Sequence, residues 1–331
     1  MKRLLLYIVL VMCLIGIGTV AAQPTPLDVV ATTSLIADVA RNVGGDRVNV
    51  TALIPGGTDV HAFEPTPQDV LAVSQADVLL VNGAGLEAFL GRLVENAGNV
   101  EPVVVSNGVP MLPFGDHDHV EHDEHETLGL LGEAGVCEDE HHDEHEAEEA
   151  HEHANCDPHV WTDPHNVQVW AANIAAAFAV ADPANADAYH ANADAYIAQL
   201  DALDAEIREI LSTIPHEGRI LVTNHEFFGY FAHAYDFEVV GVVIPGGTTL
   251  NDPDPQALAR LIRLVAEEGV PAIFAEVSAV PVLAETVAQE AGITVVADIY
   301  SDSLSDPDGP AATYLDYMRH NAQTIATALA G

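Results

Sequence analysis

Four polar residues have the types and surroundings of metal ligands. His61 lies in Gly57-Thr58-Asp59-Val60-His61-Ala62-Phe63-Glu64-Pro65, and His159 in Asp157-Pro158-His159-Val160-Trp161. His225 lies in Thr223-Asn224-His225-Glu226-Phe227, and Asp302 in Tyr300-Ser301-Asp302-Ser303. Three imidazoles and one carboxylate suit Zn(II), which takes nitrogen and oxygen donors at about 2.0–2.2 Å in a tetrahedron. Mg(II) and Ca(II) prefer oxygen-rich shells. Four protein donors leave no position for an activated water, so the set favours holding metal over hydrolysis. The chain also carries no His-Glu-x-x-His motif and no nucleophile elbow, and we expect no enzymatic activity. The fourth ligand has rivals at this stage: Glu226, adjacent to His225, or a water.

A histidine in a loop is ordinarily just solvated, so the argument rests on where these four fall. Apolar, β-rich runs alternate with helical patterns. Strands are expected at Asp28 to Thr33, Arg47 to Ile54, Val78 to Asn82 and Val103 to Ser106, with helices between them. The alternation resumes with strands at Arg219 to Thr223, Glu238 to Ile244, Ala272 to Ala275 and Ile293 to Ala297, and a helix is expected near Phe227 to Ala234. Single helices between strands imply βαβ units and a parallel sheet. His61, His225 and Asp302 follow strands, and His159 precedes a helix that begins at Pro164. In open parallel sheets ligands bind beyond the carboxyl ends of the strands. Two candidates come from each half of the chain, so their meeting place is a cleft between two lobes.

Between the halves lies one long amphipathic stretch. From Asp182-Pro183 to about Thr213, Tyr189, Ala193, Tyr196, Leu200, Leu203, Ile207 and Ile210 or Leu211 recur at steps of three or four. About 30 helical residues span about 45 Å, enough to run along both lobes. The fold class is therefore α/β, with two lobes, each a mainly parallel sheet flanked by helices, joined by one long rigid helix. We divide the chain into an N-terminal lobe over 27–181, a linking helix over 182–213 and a C-terminal lobe over 217–331.

From Gly115 to Asp157 the composition changes abruptly. This segment holds nine histidines, 17 acidic residues and no Lys or Arg. It has too little apolar surface to bury and is expected to be a disordered insert that collects zinc weakly. Cys137 and Cys156 bracket part of it, and an oxidising compartment permits them to pair. Lys2 and Arg3, an apolar run from Leu4 to Val20 and the exit Val20-Ala21-Ala22 describe a secretory signal over 1–22, with an uncleaved anchor as the alternative. The protein is thus expected to be exported, periplasmic or associated with the cell surface. Without Lys2 and Arg3 the formal charge of −41 becomes −43. That excludes nucleic acid as a partner, because nothing could neutralise its phosphates.

The same residues carry a family resemblance. Ala31-Thr32-Thr33-Ser34, Gly57 to Pro67, Asp157 to Trp161, Thr223-Asn224-His225 with Phe228-Gly229-Tyr230-Phe231, and Tyr300 to Leu304 with Tyr314 occur in an order that covers nearly all of the mature chain. The chain resembles the zinc and manganese receptors of ABC importers, in particular the zinc-uptake branch. That resemblance implies two (β/α)-type lobes bridged by a rigid helix, and metal ligands at His61, His159, His225 and Asp302. It implies Zn(II) as transported ligand, with Mn(II) as the alternative, because manganese receptors tend to place Glu where His225 stands. It also implies a permease subunit at the membrane as partner, and a monomer. Within the same family, a manganese or iron receptor and a zinc-dependent adhesin or metal buffer are the rival readings. Val60 departs from the family pattern, which has Pro before the first histidine.

Overall fold

Short runs rich in β-branched and leucine residues define most of the strands. In this computed structural model, which describes residues 25–98, 100–113, 156–251, 253, 255–278 and 282–330, two sheets of four strands are seen. The first comprises β1 (Leu27–Ala31), β2 (Val48–Ala52), β3 (Val78–Val81) and β4 (Pro102–Val104), in the order β2-β1-β3-β4. The second comprises β5 (Ile220–Thr223), β6 (Glu238–Val242), β7 (Ala272–Glu276) and β8 (Thr294–Ile299), in the order β6-β5-β7-β8. All pairings are parallel, as between Val29 and both Val50 and Val78. Parallel sheets are covered on both faces, which is why β3 reads Val-Leu-Leu-Val and β7 is buried along its whole length. The two sheets therefore repeat one strand order, and both aim their carboxyl ends at the cleft.

Helices cover these sheets, and several begin at side-chain caps. Thr33 accepts from the Ile36 amide at the start of α1 (Ser34–Gly44). Thr66 and Asp69 form a reciprocal capping box for α2 (Pro67–Gln75). Next come α3 (Leu90–Ala97) and α4 (Pro164–Ala181), the latter capped by Asp163 with Pro164 in the first turn. In the second lobe α6 (Gly229–Tyr235), α7 (Pro255–Glu268), α8 (Val282–Ala291) and α9 (Tyr314–Leu329) follow the linking helix α5 (Ala186–Leu211). The expected helix from Phe227 instead begins at Gly229, because Phe227 and Phe228 turn inward and stack at 4.2 Å between ring centroids.

The linking helix α5 has 26 residues, about 39 Å at 1.5 Å each. A 3₁₀ turn over Pro183–Asn185 precedes it, so the helix proper starts later than the Asp-Pro signal suggests. Its buried stripe is Tyr189, Ala193, Tyr196, Leu200, Leu203, Ile207 and Leu211. Each such burial contributes about 1.5–3 kcal/mol for the large aliphatic residues. The helix is tied to both halves: Asn192 Nδ2 donates to Val43 O at 2.9 Å, and Arg208 Nη1 to Ala234 O at 3.0 Å. Arg319 of α9 adds a two-pronged ion pair to Glu206, at 2.8 and 3.0 Å. One continuous apolar core runs from β1 and α1 through α4 and α5 to the aromatics of α6, and a second, smaller one lies beneath α7 and α8.

Direct ties also close the lobes on each other near the cleft. Gly57 N donates to Leu304 O at 2.9 Å, Leu304 N to Ser34 Oγ at 3.0 Å, and Tyr314 N to Asp38 Oδ2 at 3.0 Å. A side chain at Gly56 would put its Cβ 2.6 Å from Leu304 O, so only glycine permits this approach. The signal segment and nearly all of the 115–157 insert lie outside the described residues. The insert's two ends are joined: Pro113 and Cys156 form an antiparallel bridge, and Asp157 N donates to Leu112 O at 2.8 Å. Cys156 is disulfide-bonded, and Cys137 lies outside the described residues. Among the described residues no helix is long and apolar enough to cross a membrane.

Candidate metal centre

Three strand ends and the turn before the 3₁₀ helix Val160–Thr162 bring the four expected residues to one point. His225 follows β5 directly, held by the Asn224 N to Phe274 O bond and by Thr223 Oγ1 donating to His225 O at 2.7 Å. Asp302 follows β8 and is steered by its neighbour Ser301, whose carbonyl accepts from Trp161 Nε1 at 2.9 Å and Tyr317 OH at 2.7 Å. His159 follows Pro158, whose carbonyl accepts from Asn82 Nδ2 at 3.0 Å. His61 sits in the loop between β2 and α2, where Asp59 Oδ1 accepts from its amide at 2.9 Å. The donor atoms of His61, His159, His225 and Asp302 all lie within 4.8 Å of one another. Glu226 is half-buried, and it does not belong to this cluster.

The geometry is that of a coordination shell. Asp302 Oδ2 lies 3.5 Å from His61 Nε2 and 3.7 Å from His225 Nε2, while Oδ1 lies 3.6 Å from His159 Nε2. These separations are too long for hydrogen bonds. They approach the roughly 3.3–3.6 Å edge of a tetrahedron whose metal bonds measure about 2.0–2.2 Å. His61 Nε2, His225 Nε2 and both Asp302 oxygens are buried without a hydrogen-bond partner. Burying such acceptors unsatisfied costs about 1–3 kcal/mol each, more when charged, so their convergence calls for a cation.

A second layer of carboxylates orients the rings. Asp157 Oδ1 meets His159 Nδ1 at 2.7 Å, and Glu276 Oε1 meets His225 Nδ1 at 2.8 Å. An ionised carboxylate only accepts, so each ring must carry its proton on Nδ1 and turn its Nε2 lone pair inward. Sequence reasoning missed both carboxylates. A signal for Glu276 existed: it is the single charged residue in the buried strand Ala-Ile-Phe-Ala-Glu.

Charge balance follows from this crowding. Burial opposes a charged imidazole at His225, yet Glu276 and Asp302 overcome it and hold the proton up to about 9. Burial would raise Asp302, but the neighbouring His225, His61 and His159 hold it well below the ordinary carboxylate value. Burial likewise disfavours charge on Glu276, and its contact with His225 wins and lowers it. Without metal, a proton on His225 compensates the buried carboxylates.

Two α/β lobes with parallel sheets, a bridging helix and a buried His/Asp cluster between them define a substrate-binding protein for metal ions. The chain matches the family described as "Zinc-uptake complex component A periplasmic" over residues 29–328. It is 32% identical to the manganese-binding lipoprotein MntA of Halalkalibacterium halodurans, over 98% of this chain and 97% of that protein. It is 31% identical to the iron-binding protein YfeA of Yersinia pestis, over 90% of this chain and 85% of that one. The periplasmic zinc-binding protein TroA of Treponema pallidum superposes with a TM-score of 0.75 at 27% identity, covering 92% of this chain and 99% of that one. The chain belongs to the zinc-uptake complex component A family, the substrate-binding proteins of metal ABC importers.

Proposed function

We propose that this protein is an exported zinc receptor, periplasmic or cell-surface associated, that captures Zn(II) at His61, His159, His225 and Asp302 and hands it as a monomer to an ABC permease. The observation that carries the reading is the donor set itself: three imidazole Nε2 atoms and one buried carboxylate, spaced 3.5–3.7 Å between nitrogen and oxygen. Nitrogen-rich shells favour zinc over the harder manganese ion. Four protein donors fill a tetrahedron, which supports binding without catalysis. The division into lobes at 27–181 and 217–331, linked by 182–213, belongs to the same reading: it puts one half of the ligand set in each lobe.

Manganese is the second reading, and one observation favours it. Both Asp302 oxygens face the centre, Oδ1 toward His159 and Oδ2 toward His61 and His225, so a bidentate carboxylate could raise the coordination number. The relatives named above are described as binding manganese, iron or zinc. Metal analysis of protein purified without added metal, followed by competition between Zn(II) and Mn(II), decides between them. We expect one tightly held zinc per chain that excess manganese does not displace. Retention of manganese in preference to zinc overturns the zinc reading.

A further inference from the structure

β7 lies between β5 and β8 in the second sheet, so it separates the strand that carries His225 from the strand that carries Asp302. Its last residue, Glu276, is 1% exposed. Oε1 accepts from His225 Nδ1 at 2.8 Å and from Asn224 Nδ2 at 3.0 Å. Oε2 accepts from the hydroxyl of Ser301, the residue before Asp302, and from Ser278 Oγ at 3.3 Å. One carboxylate therefore grips both ligand-bearing turns, one with each oxygen. The neighbouring main chain reinforces the grip: Asn224 N donates to Phe274 O and Val277 N to Ile299 O. The β7–β8 register shifts between Phe274 and Glu276, at the level where this carboxylate reaches across.

We propose that Glu276 is a positioning residue that sets the spacing between His225 and Asp302, and through it the preference of the site for a tetrahedral ion. The proposal rests on the reading that these residues hold the metal. His225 Nε2 and Asp302 Oδ2 stand 3.7 Å apart, near a tetrahedral edge. Free of Glu276, the Ser301 turn and the His225 ring would each relax, and the site would tolerate ions that take more ligands at wider or narrower angles. Glutamine can preserve the grip, because its carbonyl accepts from His225 while its amide donates to the Ser301 hydroxyl. Alanine can do neither.

The test uses the mature full-length protein with one equivalent of Co(II), whose visible absorption is strong when tetrahedral and weak when six-coordinate. Zn(II) and Mn(II) affinities are measured in parallel for wild type, Glu276→Gln, Glu276→Ala and Ser301→Ala. Glu276→Ala should lose most of the cobalt band intensity and about 10–100-fold in zinc affinity, the range seen when an outer-shell partner of a ligand is removed. Its zinc-to-manganese preference should narrow. Glu276→Gln should keep the tetrahedral spectrum, with a smaller affinity loss from the missing charge. Should Glu276→Ala fail to fold, Ser301→Ala, which cuts only the Asp302 arm, carries the test and should weaken the band in the same direction. Unchanged spectra and affinities in both alanine variants overturn the proposal. Glutamine as damaging as alanine would assign the effect to charge and also overturn the spacing role. A wild-type protein with no tetrahedral cobalt spectrum would instead sink the zinc reading, which keeps the two failures apart.

Discussion

The two lobes repeat one strand order, yet they present their ligands differently. The C-terminal lobe places His225 and Asp302 immediately beyond β5 and β8, where the sheet and Glu276 hold them. The N-terminal lobe places His61 deep in a long loop and His159 after the return of the insert. Exposure singles out one member of the N-terminal pair. The His61 side chain is 7% exposed, whereas those of His159, His225 and Asp302 are 1% or less. Beside His61, Asp59 Oδ2 accepts from Thr249 Oγ1 at 2.6 Å, a link from the His61 loop to the opposite lobe. The difference teaches that the C-terminal pair is a seat built on sheet ends, whereas His61 sits on a loop nearer solvent, which makes that loop the part of the site expected to move when metal enters or leaves.

The strongest way to break that comparison is to remove one ligand from each half. His225→Ala should weaken zinc binding by well over the 10–100-fold that follows loss of an outer-shell partner. His61→Ala should cost less in affinity and more in the rate of release, because the seat remains. Equilibrium competition and stopped-flow chelation on both variants check this, and equal losses would erase the asymmetry.

A change of pH probes the seat through His225. An unperturbed imidazole titrates near about 6.5, whereas His225 is held up to about 9. Zinc needs the neutral ring, so it must displace that proton. Affinity should therefore fall about tenfold for each pH unit below about 9, the value at which His225 is held. Calorimetry in buffers of differing ionisation enthalpy should detect about one proton released per zinc near neutral pH. The metal-free protein shows the opposite sign: the stability conferred by charged His225 is fully present below about 6.5 and lost as pH rises through about 9. No proton release at neutral pH would mean that the seat does not store the charge described.

The smallest effect concerns the His61 loop. Thr249→Val removes the hydrogen bond to Asp59 without changing side-chain volume greatly. A net contribution of about 1 kcal/mol corresponds to roughly fivefold faster zinc dissociation, with association little changed. Stopped-flow release measures it, and an unchanged rate would show that the Thr249 link does not hold the His61 loop.

Much of this arrangement was legible in the sequence. The apolar stripe from Tyr189 to Leu211 lies buried as its spacing requires, because a single periodicity over many turns outweighs any local propensity. His61, His225 and Asp302 were legible because polar chemistry follows a strand end, and His159 because it stands in a family-like motif ahead of a helix start. Their supporting carboxylates were not. Asp157 reads as part of the acidic insert, and Glu276 as an ordinary strand terminus, until the fold brings each against an imidazole. The onset of α6 was misplaced for a related reason: Phe227 and Phe228 have apolar spacing compatible with a helix, but tertiary stacking claims them first.

The bridge between Pro113 and Cys156 bears on how this protein can vary. Because the two ends meet at one strand spacing, the entropy of closing a flexible connection between them would rise only slowly with its length, by about 0.6 kcal/mol for each doubling. Neither β4 nor the His159 turn has to move when that stretch grows, shrinks or changes composition. A change of length or composition there leaves the four cluster residues in the chain, because His61 precedes the stretch and His159, His225 and Asp302 follow it.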